Sequence, residues 1–126
     1  MTDAGGRSPR KAQAGCLFCR IVAGEVPATK LHDAAGVVAI RDINPVAPTH
    51  ILVLPTEHIA SAADLTAADA DLLGSLFAAA AELARSEGLA ANGYRIVTNI
   101  GRDAGQSVDH LHFHLLGGRR FDWPPG

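Results

Sequence analysis

Residues 109–116 run Asp109, His110, Leu111, His112, Phe113, His114, Leu115, Leu116, so three histidines alternate strictly with apolar residues. Alternation is the period of a β-strand, whose successive side chains point to opposite faces. A strand here buries Leu111, Phe113 and Leu115 in a core and lines its other face with three imidazoles. On an ordinary surface such a row gains nothing, and beside a core each ring nitrogen needs a partner. The same geometry divides the three histidines. At about 3.3 Å rise per residue the first and third α-carbons stand about 13 Å apart, whereas a Zn–N bond is only about 2 Å long. One histidine is therefore expected to be structural or metal-binding while the other two share a reaction site.

The rest of the chain predicts what carries that strand. With 126 residues, 48% hydrophobic, it is long enough for one domain with a real core. Residues 16–22 predict a short helix ended by Ala23 and Gly24. Residues 29–32 and 37–40 predict a hairpin turning over residues 33–36, with His32 an exposed strand residue. Residues 50–54 form a dense apolar run, expected as a central strand closed by Pro55. The one long helix is expected to begin near Thr66, where Thr66 and Asp69 resemble a capping box. Leu72, Leu76, Ala79 and Leu83, flanked by Leu73, Phe77, Ala80 and Ala84, make its apolar stripe, and Gly88 is its stop. Residues 93–99 predict one more strand before the histidines. The order β-β-β-α-β-β, with a minor N-terminal helix, implies an α+β domain over residues 16–126, built on a mostly antiparallel five-stranded sheet.

Residues 1–15 lack an apolar stretch suited to a signal peptide and are read as a disordered arm. No apolar run reaches the length of a membrane span, and a net charge of −2 gives no basic footprint for nucleic acid. A cytoplasmic location is expected, where thiols stay reduced. Cys16 and Cys19 form a C-x-x-C, open to three readings: a redox pair, half of a zinc site, or two packed thiols. The lack of a βαβ context disfavours the first.

The loop before the histidines holds Gly101, Gly105, Gln106 and Ser107, with Asn99 on the strand before it. Glycines let backbone N–H groups approach an anion, so the loop suits a phosphate, although turn glycines are commonly only turns. A neutral imidazole is a competent nucleophile toward phosphorus once its other nitrogen is protonated and held by an acceptor. A second histidine can then bind phosphate oxygens or handle the leaving-group proton. His112 and His114 offer that pairing.

The run His110-Leu111-His112-Phe113-His114-Leu115-Leu116 resembles the signature of the histidine triad (HIT) nucleotide hydrolases and transferases. Asp42-Ile43-Asn44-Pro45, Ala47-Pro48-Thr49-His50, Gly105-Gln106-Ser107-Val108 and the ending Trp123-Pro124-Pro125-Gly126 are similar to its Hint branch, so the resemblance spans residues 16–126. It implies a HIT-like fold that hydrolyses purine nucleoside 5′-phosphoramidates and lysyl-AMP-type substrates to AMP through a nucleotidyl-histidine. In that reading His112 is the nucleophile, and His114, Ser107 and Asn99 contact phosphate and leaving group. Gly105 and Gln106 give backbone donors, Asp42 binds the ribose, and His50 supports the site. Phe18, Ile40 and Ile43 flank the base, with Leu17 beside them.

The resemblance further implies structural zinc on Cys16, Cys19, His58 and His110. It implies no catalytic metal or organic cofactor, and a homodimer in which Trp123 reaches the partner's substrate. Two alternatives remain at this point. One is a dinucleoside polyphosphate hydrolase of the same family, against which the Trp-Pro-Pro-Gly ending argues. The other is a zinc-stabilised nucleotide-binding interaction module.

Overall fold

The computed structural model describes residues 8–126. Five strands form one antiparallel sheet: β1 (Lys30–Ala34), β2 (Val37–Arg41), β3 (Thr49–Pro55), β4 (Arg95–Val97) and β5 (Phe113–Gly117). Their order across the sheet is β1-β2-β3-β5-β4. The short helix α1 (Leu17–Val22) precedes the sheet, and α2 (Ala70–Ser86) joins β3 to β4. The expected α+β architecture is what forms.

Every residue of β3 is buried, because both faces of this central strand are covered. Ile51 and Val53 pack with Val37, Ala39, Phe113, Leu115 and the inner side of α2. Leu52 and Leu54 project the other way, onto Phe18 and Ile21 of α1 with Val38 and Ile40. His50 and His114 share this second face, since His114 pairs with Leu52 across β3 and β5. The sheet thus keeps its larger core under α2 and holds the histidines on the α1 side. Pro55 closes β3 opposite Val37, at a strand end where its missing N–H costs no ladder bond.

Helix α2 begins as expected from its cap, with one difference. Thr66 and Asp69 form the capping box around a 3-10 turn (Ala67–Asp69), and the α-helix proper starts at Ala70. Leu76, Ala79, Ala80, Leu83 and Ala84 are buried as the stripe requires. Phe77 departs from it: 45% exposed, it covers Phe113 from the rim at 5.2 Å between ring centroids. Past the helix end Gly88 takes φ +75°, the left-handed conformation that glycine adopts without penalty.

The hairpin also differs. Asp33 and Ala34 belong to β1, and Ala34 pairs with Val37, so the turn has only two residues. Ala35 and Gly36 both have positive φ, 55° and 78°, which makes the tight turn that matches strand twist. His32 is half-buried rather than exposed, its Nε2 lying 3.3 Å from the Ala34 carbonyl oxygen.

The first seven residues of the expected arm lie outside the described residues. Of the remainder, Arg10 is tied to the domain. Its guanidinium meets Asp69 at 3.1 Å, and its backbone N–H donates to Glu57 at 2.8 Å. Among the described residues no helix is long and apolar enough to cross a membrane.

Candidate active site and metal centre

The histidine segment keeps its alternation but not its full strand. Leu111, Phe113 and Leu115 enter the α2 core, yet ladder pairing begins only at Phe113. Upstream, the backbone is held by other partners. The Leu111 N–H donates to the Ile59 carbonyl, and the Thr98 hydroxyl donates to the His112 carbonyl at 2.8 Å. Freed from the sheet register, His110 and His112 turn to different neighbourhoods. The two roles expected of one strand face are therefore physically separated.

His110 is completely buried. Its Nε2 lies 2.9 Å from the Pro55 carbonyl oxygen, and a carbonyl only accepts, so Nε2 carries the hydrogen. Its Nδ1 lone pair then faces Cys16 Sγ at 3.4 Å and Cys19 Sγ at 3.6 Å. His58 Nδ1 lies 3.3 Å from Cys19 Sγ, and the four ligand atoms all fall within 4.8 Å of one another. A tetrahedron with Zn–S of about 2.3 Å and Zn–N of about 2.05 Å has S···N edges of about 3.6 Å. The observed spacings match. Burial pushes the Cys19 thiol up and holds the His110 imidazole down at about 4, its loss of solvent outweighing the bond to Pro55. A buried thiolate needs a cation beside it, and the donor set fits zinc.

His112 is 4% exposed. Its Nδ1 donates to the His110 carbonyl at 2.6 Å, so Nε2 is the nitrogen left with a lone pair. Phe18 stands edge-on to the ring with centroids 5.0 Å apart, which fixes its plane from the α1 side. This is the arrangement a nucleophilic imidazole requires.

The third histidine is set by a chain of donors. The Val46 backbone N–H donates to His50 Nδ1 at 3.1 Å, so His50 carries its proton on Nε2. That nitrogen lies 2.9 Å from His114 Nδ1 and 3.3 Å from an Asp42 oxygen. His114 Nδ1 therefore accepts, and Nε2–H is its free donor. The rings of His112 and His114 lie 5.1 Å apart. Burial, with the neighbouring His112 and His50, pulls His114 down to about 4. Burial also lowers His50 against the pull of Asp42. In the free protein His114 is thus a neutral hydrogen-bond donor.

Asp42, His50 and His114 also place three ligand-type atoms together. They do not make a second metal centre. With Val46 N–H on Nδ1, binding a cation through Nε2 would require an imidazolate at His50, a far more costly species than a neutral ring.

The loop residues hold themselves before they hold anything else. Gly105 and Gln106 N–H donate to the Arg102 and Gly101 carbonyls, so the backbone donors expected for a phosphate are engaged in the loop. The Gln106 side chain is structural too: its amide donates to Ala60 and Val108 carbonyls and accepts from Gly101 N–H. Asn99 donates to the Ala104 carbonyl at 2.7 Å, retaining a second amide hydrogen. Ser107 is exposed. Among the described residues no hydrogen bond joins these four to a triad ring. Asp42 accepts from Asn44 N–H at 2.8 Å and keeps acceptor capacity for hydroxyls. Phe18 and Ile40 are buried in the α1-side core, Leu17 is 44% exposed, and Ile43 and Trp123 stand 90% and 82% exposed. Pro55, Val46 and Thr98 escaped the sequence reading because their contributions are backbone atoms or a hydroxyl brought in from distant positions.

A HIT domain model matches residues 23–121. Over 103 residues the chain is 43% identical to the purine nucleoside phosphoramidase of Escherichia coli K12, covering 82% of this chain and 87% of that protein. Over 112 residues it is 44% identical to a 14 kDa zinc-binding protein of Zea mays, covering 87% of each. The crystal structure of a HIT family hydrolase from Legionella pneumophila Philadelphia 1 aligns with a TM-score of 0.87 at 48% identity, covering 89% of this chain and 100% of that one. With the triad geometry and these matches together, the chain belongs to the histidine triad (HIT) family.

Proposed function

We propose that the protein hydrolyses the P–N bond of purine nucleoside 5′-phosphoramidates, releasing AMP and an amine, with His112 as nucleophile. The observation that carries this is the tautomer pair: a lone pair on His112 Nε2 beside a hydrogen on His114 Nε2, each dictated by a partner on the opposite nitrogen. His112 Nε2 attacks phosphorus and forms an N–P bond as the P–N bond of the substrate breaks. The amine leaves with a proton taken from water. The positive charge on His112 is stabilised through Nδ1–H and the His110 carbonyl, while His114 Nε2–H donates to the phosphoryl group. Water then attacks phosphorus and gives its proton to the hydroxide left by the first step, releasing AMP and neutral His112.

Asn99 and Ser107 complete the phosphate contacts, and Asp42 takes the ribose hydroxyls. Of the residues flanking the base, Ile43 is the most exposed and covers it, against the buried edges of Phe18 and Ile40. Cys16, Cys19, His58 and His110 hold a structural zinc, which ties α1 to the end of β3 and to the start of the triad. Keeping these thiols reduced suits a cytoplasmic protein. The three-residue β4 lies at the sheet edge and Trp123 projects outward, which supports a homodimer whose tails approach the partner's substrate.

The relative in Escherichia coli, named a purine nucleoside phosphoramidase, supports the substrate class. The test is AMP release from adenosine 5′-phosphoramidate by the purified protein, with diadenosine triphosphate as comparison and His112→Ala as control. The phosphoramidate is expected to be the better substrate, and the variant to lose at least about 10⁴-fold in turnover. Preference for the dinucleotide, or an unaffected variant, contradicts the proposal.

A further inference from the structure

The residues that fix His50 are themselves fixed from the far end of β5. The chain leaves that strand through Gly117 and Gly118, and Gly118 has φ +89°. A Cβ there would lie 2.8 Å from Pro48 Cβ, so this turn rests directly on the loop that precedes β3. The next residue grips the same loop. Arg119 donates to the Val46 carbonyl from Nε at 3.3 Å and from Nη2 at 3.1 Å. Its Nη1 donates to the Arg120 carbonyl at 3.0 Å, and its guanidinium carbon lies 4.2 Å from the Phe121 ring centroid. Every nitrogen of this exposed guanidinium is engaged and one face is covered, so it is tied to the Val46 loop and the tail at several points.

Val46 has no side-chain anchor of its own, being 61% exposed. Its backbone is held at both ends instead: the carbonyl by Arg119, the N–H by His50 Nδ1. The chain of contacts then runs without a gap from Arg119 through Val46 and His50 to His114. Each link has one possible direction, because a carbonyl only accepts and a backbone N–H only donates.

We propose that Arg119 is a positioning residue, which holds Val46 so that its N–H selects the Nε2–H tautomer of His50 and, through it, the donor tautomer of His114. The inference rests on the functional reading above for its catalytic consequence, but not for its structural part. Without the grip on Val46 the His50 ring loses the donor on its Nδ1, and only the Asp42 carboxylate, 3.3 Å from Nε2, still favours the Nε2–H tautomer. A His50 protonated on Nδ1 presents a lone pair to His114, which then protonates its own Nδ1 and turns a bare lone pair toward the phosphoryl oxygens. A wrong tautomer disables a catalytic histidine without moving it.

The experiment is long-range ¹H–¹⁵N correlation on protein labelled in histidine nitrogen, run beside phosphoramidate turnover, for the wild type, Arg119→Ala and Arg119→Lys. In the wild type His50 and His114 are both expected as Nε2–H tautomers. Arg119→Ala is expected to convert His50 to a mixture and to lower kcat/KM about tenfold, a fraction of what proton-positioning groups supply. Arg119→Lys, which can still donate to one carbonyl, is expected to recover most of both. A His50 tautomer unchanged in Arg119→Ala overturns the proposal, as does full turnover despite a mixed tautomer. If the wild type is inert toward phosphoramidates, the functional reading falls while the tautomer of His50 still decides whether the grip acts.

Discussion

His110, His112 and His114 occupy one short segment and yet have three different electrostatic tasks, each set by which nitrogen is already spoken for. The Pro55 carbonyl turns His110 Nδ1 toward the cysteines, the His110 carbonyl leaves His112 Nε2 with the lone pair, and His50 leaves His114 a donor. Burial keeps His114 neutral down to about pH 4, against about 6.5 in an unfolded chain. Between those values the unfolded chain binds the proton that the folded site refuses. The stability from this group is therefore fully present above about pH 6.5 and is lost as pH falls toward 4. Thermal unfolding followed from pH 7 to pH 4.5 should show a falling Tm. His114→Asn should flatten part of that slope, and an unchanged slope would deny that His114 is desolvated.

Elements were legible in the sequence wherever a period or a cap defines them. The apolar run of β3, the stripe of α2 and its capping box all follow from side chains within a few residues of one another. What escaped depends on partners far along the chain. The histidine strand starts late because Ile59 and Thr98 take backbone groups of residues 111 and 112, and no local pattern announces this. The hairpin turn is shorter than its composition suggests because Ala35 accepts a left-handed φ of 55°. An alanine there carries strain of roughly 1 kcal/mol, so Ala35→Asn, which creates the Asn-Gly pair such turns prefer, should raise stability by about 0.5–1 kcal/mol in urea unfolding. At Gly117 the opposite holds. A Cβ would meet the buried Leu89 side chain at 2.6 Å, wedging α2's trailing loop from β5. Gly117→Ala should cost about 1–3 kcal/mol by the same measurement.

For the whole molecule, the sheet separates two kinds of stabilisation. Its α2 side is an ordinary apolar core, whereas on the α1 side six buried apolar residues share the space with the cysteine–histidine cluster. Helix α1 has only six residues, too short to persist in water unaided, and Cys16 and Cys19 attach it to His58 and His110. Gln13 N–H on Cys19 Sγ and the Arg10 carbonyl on His58 N–H bring the preceding chain over the same cluster. Loaded with one equivalent of zinc, the protein should lose Tm on chelation. Hydrogen exchange in residues 10–22 should accelerate more than in β3. Cys19→Ser should abolish the response, and equal exchange in both regions would remove the metal from its structural role.

The covalent step is the core of the account. Wild-type protein mixed with adenosine 5′-phosphoramidate, quenched in base within the first turnovers and analysed by mass spectrometry, should carry a nucleotidyl group on the peptide that holds His112. The bond should be stable to base and lost in acid, as a phosphorus–nitrogen bond on imidazole is. Substrate consumed at full rate with no adduct on that peptide, and His112→Ala retaining turnover, would contradict it.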